Sequence, residues 1–239
     1  MVNEGRIDSP PPFRILFEDQ HLLVLSKSAG LLSQGDISGE ASLVDLLRVH
    51  FGRPYVGLIH RLDRNTSGLM IVAKRTKSAE RLSAQLLSGE LVRNYHAVLS
   101  GKFAVGKPET WQHYLLKNER TNEVKVVTHS ASGAKLAVLI AEGLKNFSHP
   151  RSGEPLTLAR FSLETGRSHQ IRVQAAAKGH ALAGDSKYGS SKVASLFCRT
   201  ALHSSTLTFN HPMSKERMEF QEDFALDLLE TFPVLGEKR

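Results

Sequence analysis

Apolar positions along this chain fall mostly into short blocks at strand spacing, and blocks at helical spacing are few. Phe13 to Phe17 and Leu22 to Lys27 are β-like runs separated by the polar stretch Glu18-Asp19-Gln20-His21, which predicts a hairpin. A loop through Ala29-Gly30 follows. Gly68 to Ala73 is short, apolar and continuous, as a buried strand would be. Tyr95 to Leu99, Glu123 to Thr128, Lys135 to Ala141, Thr157 to Leu163 and Ala201 to Phe209 also read as strands, punctuated by Gly, Pro, Asn or Ser. Helical spacing occurs after Ser42, an expected N-cap for Leu43, Val44, Leu46 and Leu47, with a stop near Gly52-Arg53-Pro54. Thr76 is the expected cap of a helix whose apolar side is Ala79, Leu82 and Leu86, ending at Gly89. Ser168 is the expected cap of a helix through Ile171, Val173 and Ala175 to Ala177, ended by Gly179, and Phe224 to Leu229 reads as a closing helix. Runs of strands interrupted by single helices predict an α+β domain with a largely antiparallel sheet.

Residues 1 to 12 end in Ser9-Pro10-Pro11-Pro12, which cannot supply the amide hydrogens of a helix or a central strand. They read as a tail, leaving residues 13–239 as one domain. At 239 residues and 41% hydrophobic the chain is long enough for a single core without staples. Cys198 is the one cysteine, so an intrachain disulfide and a cysteine-rich zinc site are excluded, and its expected state is that of a small buried apolar residue. No apolar run approaches the roughly 18 residues of a membrane span. The opening MVNEGRIDSPPPF lacks the basic start and apolar stretch of a secretory signal. A reducing cytoplasm is the expected location.

Charge sharpens the picture. The formal net charge is +7, and residues 60–81 and 160–192 each carry +4, so the rest of the chain is close to neutral. Lys74, Arg75 and Lys77 belong to the first stretch and Arg167 and Arg172 to the second. A fold that brings the two together makes one basic surface fit for a polyanion. The plainer alternative is a pair of solvated helix faces.

Two stretches could carry chemistry. His60-Arg61-Leu62-Asp63-Arg64-Asn65-Thr66-Ser67-Gly68 is a polar loop feeding an apolar strand, a setting that fixes side chains in place, and Asp63 between Arg61 and Arg64 should stay ionised. A surface ion pair is the bland alternative. In Leu163-Glu164-Thr165-Gly166-Arg167-Ser168-His169-Gln170-Ile171-Arg172, His169 and Arg172 stand three apart, which on a helix places them on one face able to partner an anion. The alternative is a capped helix with polar residues facing water. The eleven histidines include no His-Glu-x-x-His spacing and accompany no Asp-rich cluster, so no metal set is predicted. Gly-x-x-x-x-Gly-Lys-Ser/Thr, Gly-x-Ser-x-Gly and Gly-x-Gly-x-x-Gly are all absent from the sequence, which removes the usual support for nucleotide-driven, esterase-like or dinucleotide chemistry.

HRLDRNTSGLMIVAK (60 to 74) closely resembles the HRLD-x-x-TSG signature of the RluA family of RNA pseudouridine synthases. ILFEDQHLLVLSKSAGLL, RNYHAVLSG, LETGRSHQIRV, GHALAGDSKYG and LHSSTLTFNHP extend the likeness in family order from about Phe13 to Phe224. The resemblance implies a mixed, largely antiparallel sheet with flanking helices and a central active-site cleft, and a cytoplasmic isomerase acting on uridines of ribosomal or transfer RNA. It implies no cofactor, no metal and a monomer. It further implies that Asp63 is the essential carboxylate, that Arg172 pairs with it, that Tyr95 lies against the target base, that Arg61 fills the gap when the base leaves the stack, and that Ile171 is an apolar floor for the uracil ring. Arg64, Lys74, Arg75, Lys77, Arg167 and His169 are expected RNA contacts. Two departures stand out. Ser28 replaces a usual proline after Lys27, which should loosen that loop, and Arg93 replaces a common lysine before the tyrosine. Many relatives carry a small amino-terminal RNA-binding domain, so the chain resembles the compact members.

The reaction implied breaks the bond from ribose to N1 of uracil, turns the base and rejoins it through C5. Asp63 would act as a nucleophile or as a base that removes a ribose proton, and the sequence leaves both open. A non-catalytic RNA binder and a metal-dependent nuclease are the rivals. The first is countered by the joint presence of Asp63, Tyr95 and Arg172, the second by the lack of clustered carboxylates.

Overall fold

A computed structural model of the chain describes residues 11–36 and 38–236. Most of the expected tail therefore lies outside the described residues. The strands and helices run in the order β1 (Phe13–Glu18), β2 (Leu22–Lys27), α1 (Leu43–Phe51), β3 (Gly57–Leu58), β4 (Ser67–Ala73), α2 (Thr76–Ser88), β5 (Val92–Ser100), β6 (Glu109–Asn118), β7 (Glu123–Val127), β8 (Lys135–Ser148), β9 (Pro155–Leu163), α3 (Gln170–Ala177), α4 (Ser191–Ala194), β10 (Leu202–Asn210), β11 (Arg217–Gln221) and α5 (Leu226–Thr231). One sheet runs β1-β2-β4-β10-β5-β9-β8-β6-β7, with β3 also on β4 and β11 on β10. β4 and β10 pair in parallel and the other paired strands antiparallel, so the sheet is mixed as expected.

The parallel pair positions the site. β4 and β10 join two antiparallel halves of the sheet and start at the same edge, which brings the loop before β4 beside the start of β10. Gly68 makes this junction possible. Its φ is +107°, and a Cβ there would lie 2.2 Å from the carbonyl oxygen of Ser204 on β10. The glycine of the TSG triplet thus answers to backbone approach rather than to chemistry.

All seven residues of β4 are buried, matching its continuous apolar run. One face carries Leu25, Met70, Val72, Ala97, Trp111, Leu139 and Phe161 under α1 and α3. The opposite face packs Val24, Leu69, Ile71 and Phe209 against Leu82 of α2, and Val98, Leu156 and Leu158 against Leu228 and Phe232. Ser42 caps α1 as expected, in a reciprocal box with Asp45. Thr76 does not cap α2: Arg75 holds the cap position without a side-chain bond, and Thr76 is the first helical residue. β6 and β11 escaped the sequence reading: in β6 Gln112 beside His113 and Leu115 beside Leu116 break the alternation that marks a strand, whereas β11 alternates but is only five residues long and none of them is buried. Cys198 is exposed rather than buried, since it lies in the turns between α4 and β10, outside the hydrophobic clusters.

Two core histidines carry a cost in acid. Burial, aided by the charge of Arg93 for His60 and of Arg199 for His203, pushes each imidazole down to about 3. In the unfolded chain both titrate near the ordinary value of about 6.5. Between those values unfolding takes up protons, so the contribution to stability is complete above the unfolded value and is lost as pH falls below it. Denaturant titrations at about pH 7 and about pH 5 should show the protein weaker in acid, by up to about 1.4 kcal/mol per histidine per pH unit. Equal stability at the two pH values would contradict this account.

Candidate active site

Asp63 sits in the loop between β3 and β4, and that loop is tied down from several sides. His60 is buried and its Nε2 accepts the Ile71 N–H at 3.3 Å. Ser33 Oγ donates to the carbonyl of Leu62 at 2.6 Å and accepts its N–H at 3.1 Å. The Asp63 carbonyl accepts from Thr66 N at 3.0 Å. Lys27, fully buried, gives its Nζ to the carbonyls of Ser28, Leu31 and Arg64 at 2.9, 2.8 and 3.1 Å. Those three acceptors match the three hydrogens of an ammonium. Burial and then the nearby Arg199 bring its pKa down to about 7, while Asp63 works the other way. Ser28 does not loosen this corner as its departure from the family pattern suggested. Its N–H and hydroxyl donate to the carbonyls of Pro12 and Pro11 at 3.0 and 2.7 Å, bonds of which proline could make neither.

The carboxylate is held by α3. Arg172 Nη1 donates to Asp63 Oδ2 at 3.1 Å, while Nε and Nη2 form a fork on Asp185 at 2.7 and 2.8 Å. Asp185 is wholly buried and also accepts the N–H groups of Lys187 and Tyr188. Burial opposes both charges of this pair, but the Asp185 bonds outweigh it for Arg172, whose pKa rises, and the Arg172 bonds outweigh it for Asp185, whose pKa falls. Gly184, just before, has φ +76°, and a Cβ there would lie 1.8 Å from the Arg199 carbonyl oxygen, so this turn admits only glycine.

A second arm closes a ring around Asp63. His169 Nε2 is 3.9 Å from Asp63 Oδ1, and its Nδ1 lies 2.7 Å from the Tyr188 hydroxyl. That hydroxyl accepts the Val124 N–H at 3.0 Å, which leaves its own proton for Nδ1 and in that arrangement puts the remaining ring N–H toward Asp63. Burial holds the imidazole below its ordinary pKa, with Asp63 acting in the opposite direction. The Arg172 guanidinium also lies over the Tyr188 ring, 5.2 Å from its centre. His169, not Ser168, precedes α3, and it does so in the left-handed region at φ 52° without a side-chain cap. Gln170 takes over the local bonding, accepting from Arg167 N and Thr165 Oγ1 and donating to the Val138 carbonyl.

The cavity at Asp63 is lined by Arg61, Tyr95, Arg167, His169, Ile171, Arg172 and Leu202 among others, and measures about 50 Å³. Tyr95 is 4% exposed, and burial raises its phenol pKa. Ile171 is 4% exposed beside it. A larger cavity of about 510 Å³ adjoins this one, and Arg61 and Arg167 line both.

The structure thus gathers Asp63, Tyr95, Arg172, His169, Ile171, Arg61 and Arg167 in one place. It does not bring the other cations there. Arg64 forks onto Glu40 at 3.0 and 2.6 Å. Lys74, Arg75 and Lys77 lie past the far end of β4, seven residues and so roughly 20 Å of strand away, where Lys74 bonds Glu18 and the Asp19 carbonyl. The two charged stretches therefore converge only in part: Arg61 of the first meets Arg167 and Arg172 of the second, while the buried strand β4 carries Lys74, Arg75 and Lys77 away. Asp185 and Tyr188, thirteen and sixteen residues beyond Arg172 in the segment GHALAGDSKYG, went unread as site residues.

A family model described as RNA pseudouridylate synthase matches residues 21–177. Ribosomal large subunit pseudouridine synthase D of Zymomonas mobilis is 32% identical, across 94% of this chain and 73% of that protein. An uncharacterized RNA pseudouridine synthase, YjbO, of Bacillus subtilis is 33% identical, across 95% and 78%. The solved human RNA Pseudouridylate Synthase Domain Containing 1 superposes with a TM-score of 0.71 over 99% of this chain and 98% of that one, at 22% identity, a likeness of fold.

Proposed function

Since the chain belongs to the RluA-type RNA pseudouridine synthases, isomerases of uridine in RNA, we propose that it modifies large-subunit ribosomal RNA with Asp63 as its reacting carboxylate. The substrate follows relatives from Zymomonas mobilis, Pseudomonas aeruginosa and Pasteurella multocida that are named ribosomal large subunit pseudouridine synthases. The mechanism rests on one observation: a partly exposed carboxylate is held by an arginine that a fully buried second carboxylate fixes in turn.

In this reading the target uridine leaves its stack and enters beside Tyr95 and Ile171, at an unstacking cost of a few kcal/mol. The ring of Tyr95 offers a stacking face and Ile171 an apolar floor. Asp63 either attacks C1′ as the N1–C1′ bond breaks and is displaced again when C5 bonds to C1′, or removes the C2′ proton as N1 leaves and returns it when C5 bonds to C1′. The freed uracil turns, C5 bonds to C1′, C5 gives up its proton and N1 gains one. Arg172 keeps Asp63 aimed. Arg61, exposed at the mouth, fills the vacated stack, and Arg167 and His169 face the backbone of the bound nucleotide. Isomerisation exchanges no electrons and transfers no phosphoryl group, so these residues suffice for its bookkeeping. Among the described residues no three His, Cys, Asp or Glu side chains converge as metal ligands, and no helix is long and apolar enough to cross a membrane.

Pseudouridine mapping across total RNA from cells with and without the gene tests the assignment. One or a few large-subunit ribosomal uridines should lose their modification in the deletion and regain it with the wild-type gene. Loss confined to transfer RNA would overturn the ribosomal reading.

A further inference from the structure

Resting on that reading, we propose that the 510 Å³ cavity beside the active site holds the nucleotide adjacent to the target uridine in the same RNA strand. Leu115, Val124, Lys117 and Lys135 line it. Register places these four on one face of the β7-β6-β8 corner, since Leu115 pairs with Lys135 and Lys117 with Val124. Leu115 and Val124 continue into the cluster with Ala137 and Val173 under α3. The cavity is therefore the part of that face that α3 leaves open beyond its amino end, where Gly166, Arg167 and Ser168 form the wall.

Volume, lining and position point to one occupant. About 510 Å³ lies inside the roughly 300–1,000 Å³ range of small-ligand sites, so the cavity takes a base with its sugar. Its floor is Leu115 and Val124, each only 3% exposed, so what a base meets there is a narrow apolar strip that carries no sequence preference. Its rim carries Arg61, Lys117, Lys135 and Arg167 against a single acid, Glu119. Glu119 pairs with Lys117 at 2.5 Å, but its side chain is 79% exposed, and such surface pairs give way readily to a competing phosphate. Because Arg61 and Arg167 line both cavities, a strand whose target nucleotide sits at Asp63 passes directly between them into the larger one. Lys117 and Lys135 then meet its phosphates, holding the strand in register without touching the reacting base.

The test uses the full chain and total RNA from cells lacking the gene. Lys135→p-benzoylphenylalanine is photo-crosslinked to that RNA, and the adduct is mapped alongside the pseudouridine the same protein makes. Adducts on the nucleotide next to the new pseudouridine, or the next but one, are expected. In parallel, K117A/K135A should weaken RNA binding about tenfold at physiological salt and flatten the log-log salt slope by about 1.4, the value for two single-strand phosphate contacts. Its kcat at saturating RNA should stay within twofold, and Lys192→Ala, which breaks the exposed pair with Glu154, should change neither slope nor kcat. Adducts absent or far from the modified uridine, or a wild-type slope in the double variant, would overturn the proposal while leaving the enzyme's assignment intact. If the new pseudouridine instead falls in transfer RNA, the ribosomal reading fails, and the adduct position relative to that uridine still decides the cavity's role.

Discussion

Asp63→Asn should fold, bind RNA with near-normal affinity and form no pseudouridine. The amide keeps the shape of the side chain and can still accept from Arg172, so the loop held by Ser33, Lys27 and His60 has no reason to move. It lacks the charge needed either to attack a carbon or to take a proton, and losses of at least about a thousandfold follow when a reacting group is disabled. Tritium released from RNA labelled at C5 of uridine is the measurement, with binding followed separately by filter retention. Release within tenfold of wild type would remove Asp63 from the chemistry.

Asp185→Asn should be the next most damaging change, although Asp185 is wholly buried and sits behind the guanidinium of Arg172. Asparagine keeps one acceptor but has no charge, so Arg172 loses its fork and its counter-charge in a buried position. Breaking such pairs costs about 3–5 kcal/mol when one partner is removed outright, and the isosteric amide should cost somewhat less. Freed from that fork, Arg172 no longer holds Asp63 in one orientation. We expect kcat to fall about 10- to 100-fold, the size of effect seen when groups supporting a reactive residue are removed, with RNA affinity nearly unchanged. A variant that loses RNA affinity and kcat in equal measure, or keeps both, would show that Asp185 serves the fold alone.

The sequence made the loop that carries Asp63 legible and hid what supports it. Asp63 stood in a polar loop against an apolar strand, and the three-residue spacing of His169 and Arg172 did bring both to Asp63. The route differed from the expected capped helix, because His169 reaches its place through a left-handed backbone that spacing arguments do not foresee. Asp185 was counted as one acid among the cations of a basic stretch, and nothing in local pattern tells a buried acid from a solvated one. Strand patterning placed most of the sheet, yet it missed β6, whose polar residues alternate irregularly at an outer part of the sheet. Charge clustering failed in part for a similar reason. Proximity along the chain brought Lys74 and Arg75 near Asp63 in sequence, and an extended strand carried them away in space.

The smallness of the cavity at Asp63 bears on what the enzyme accepts. An engineered apolar cavity that takes benzene measures about 150 Å³, roughly three times this one. On the proposed reading a uracil ring seats fully there only as side chains around it give way, and the free energy of that opening must come from contacts made elsewhere. A lone nucleoside brings few such contacts, whereas a polymer brings phosphates on either side of its target. Discrimination against the cell's abundant free uridine and uridine nucleotides then needs no dedicated filter: it follows from binding energy of remote groups being spent at the reacting centre.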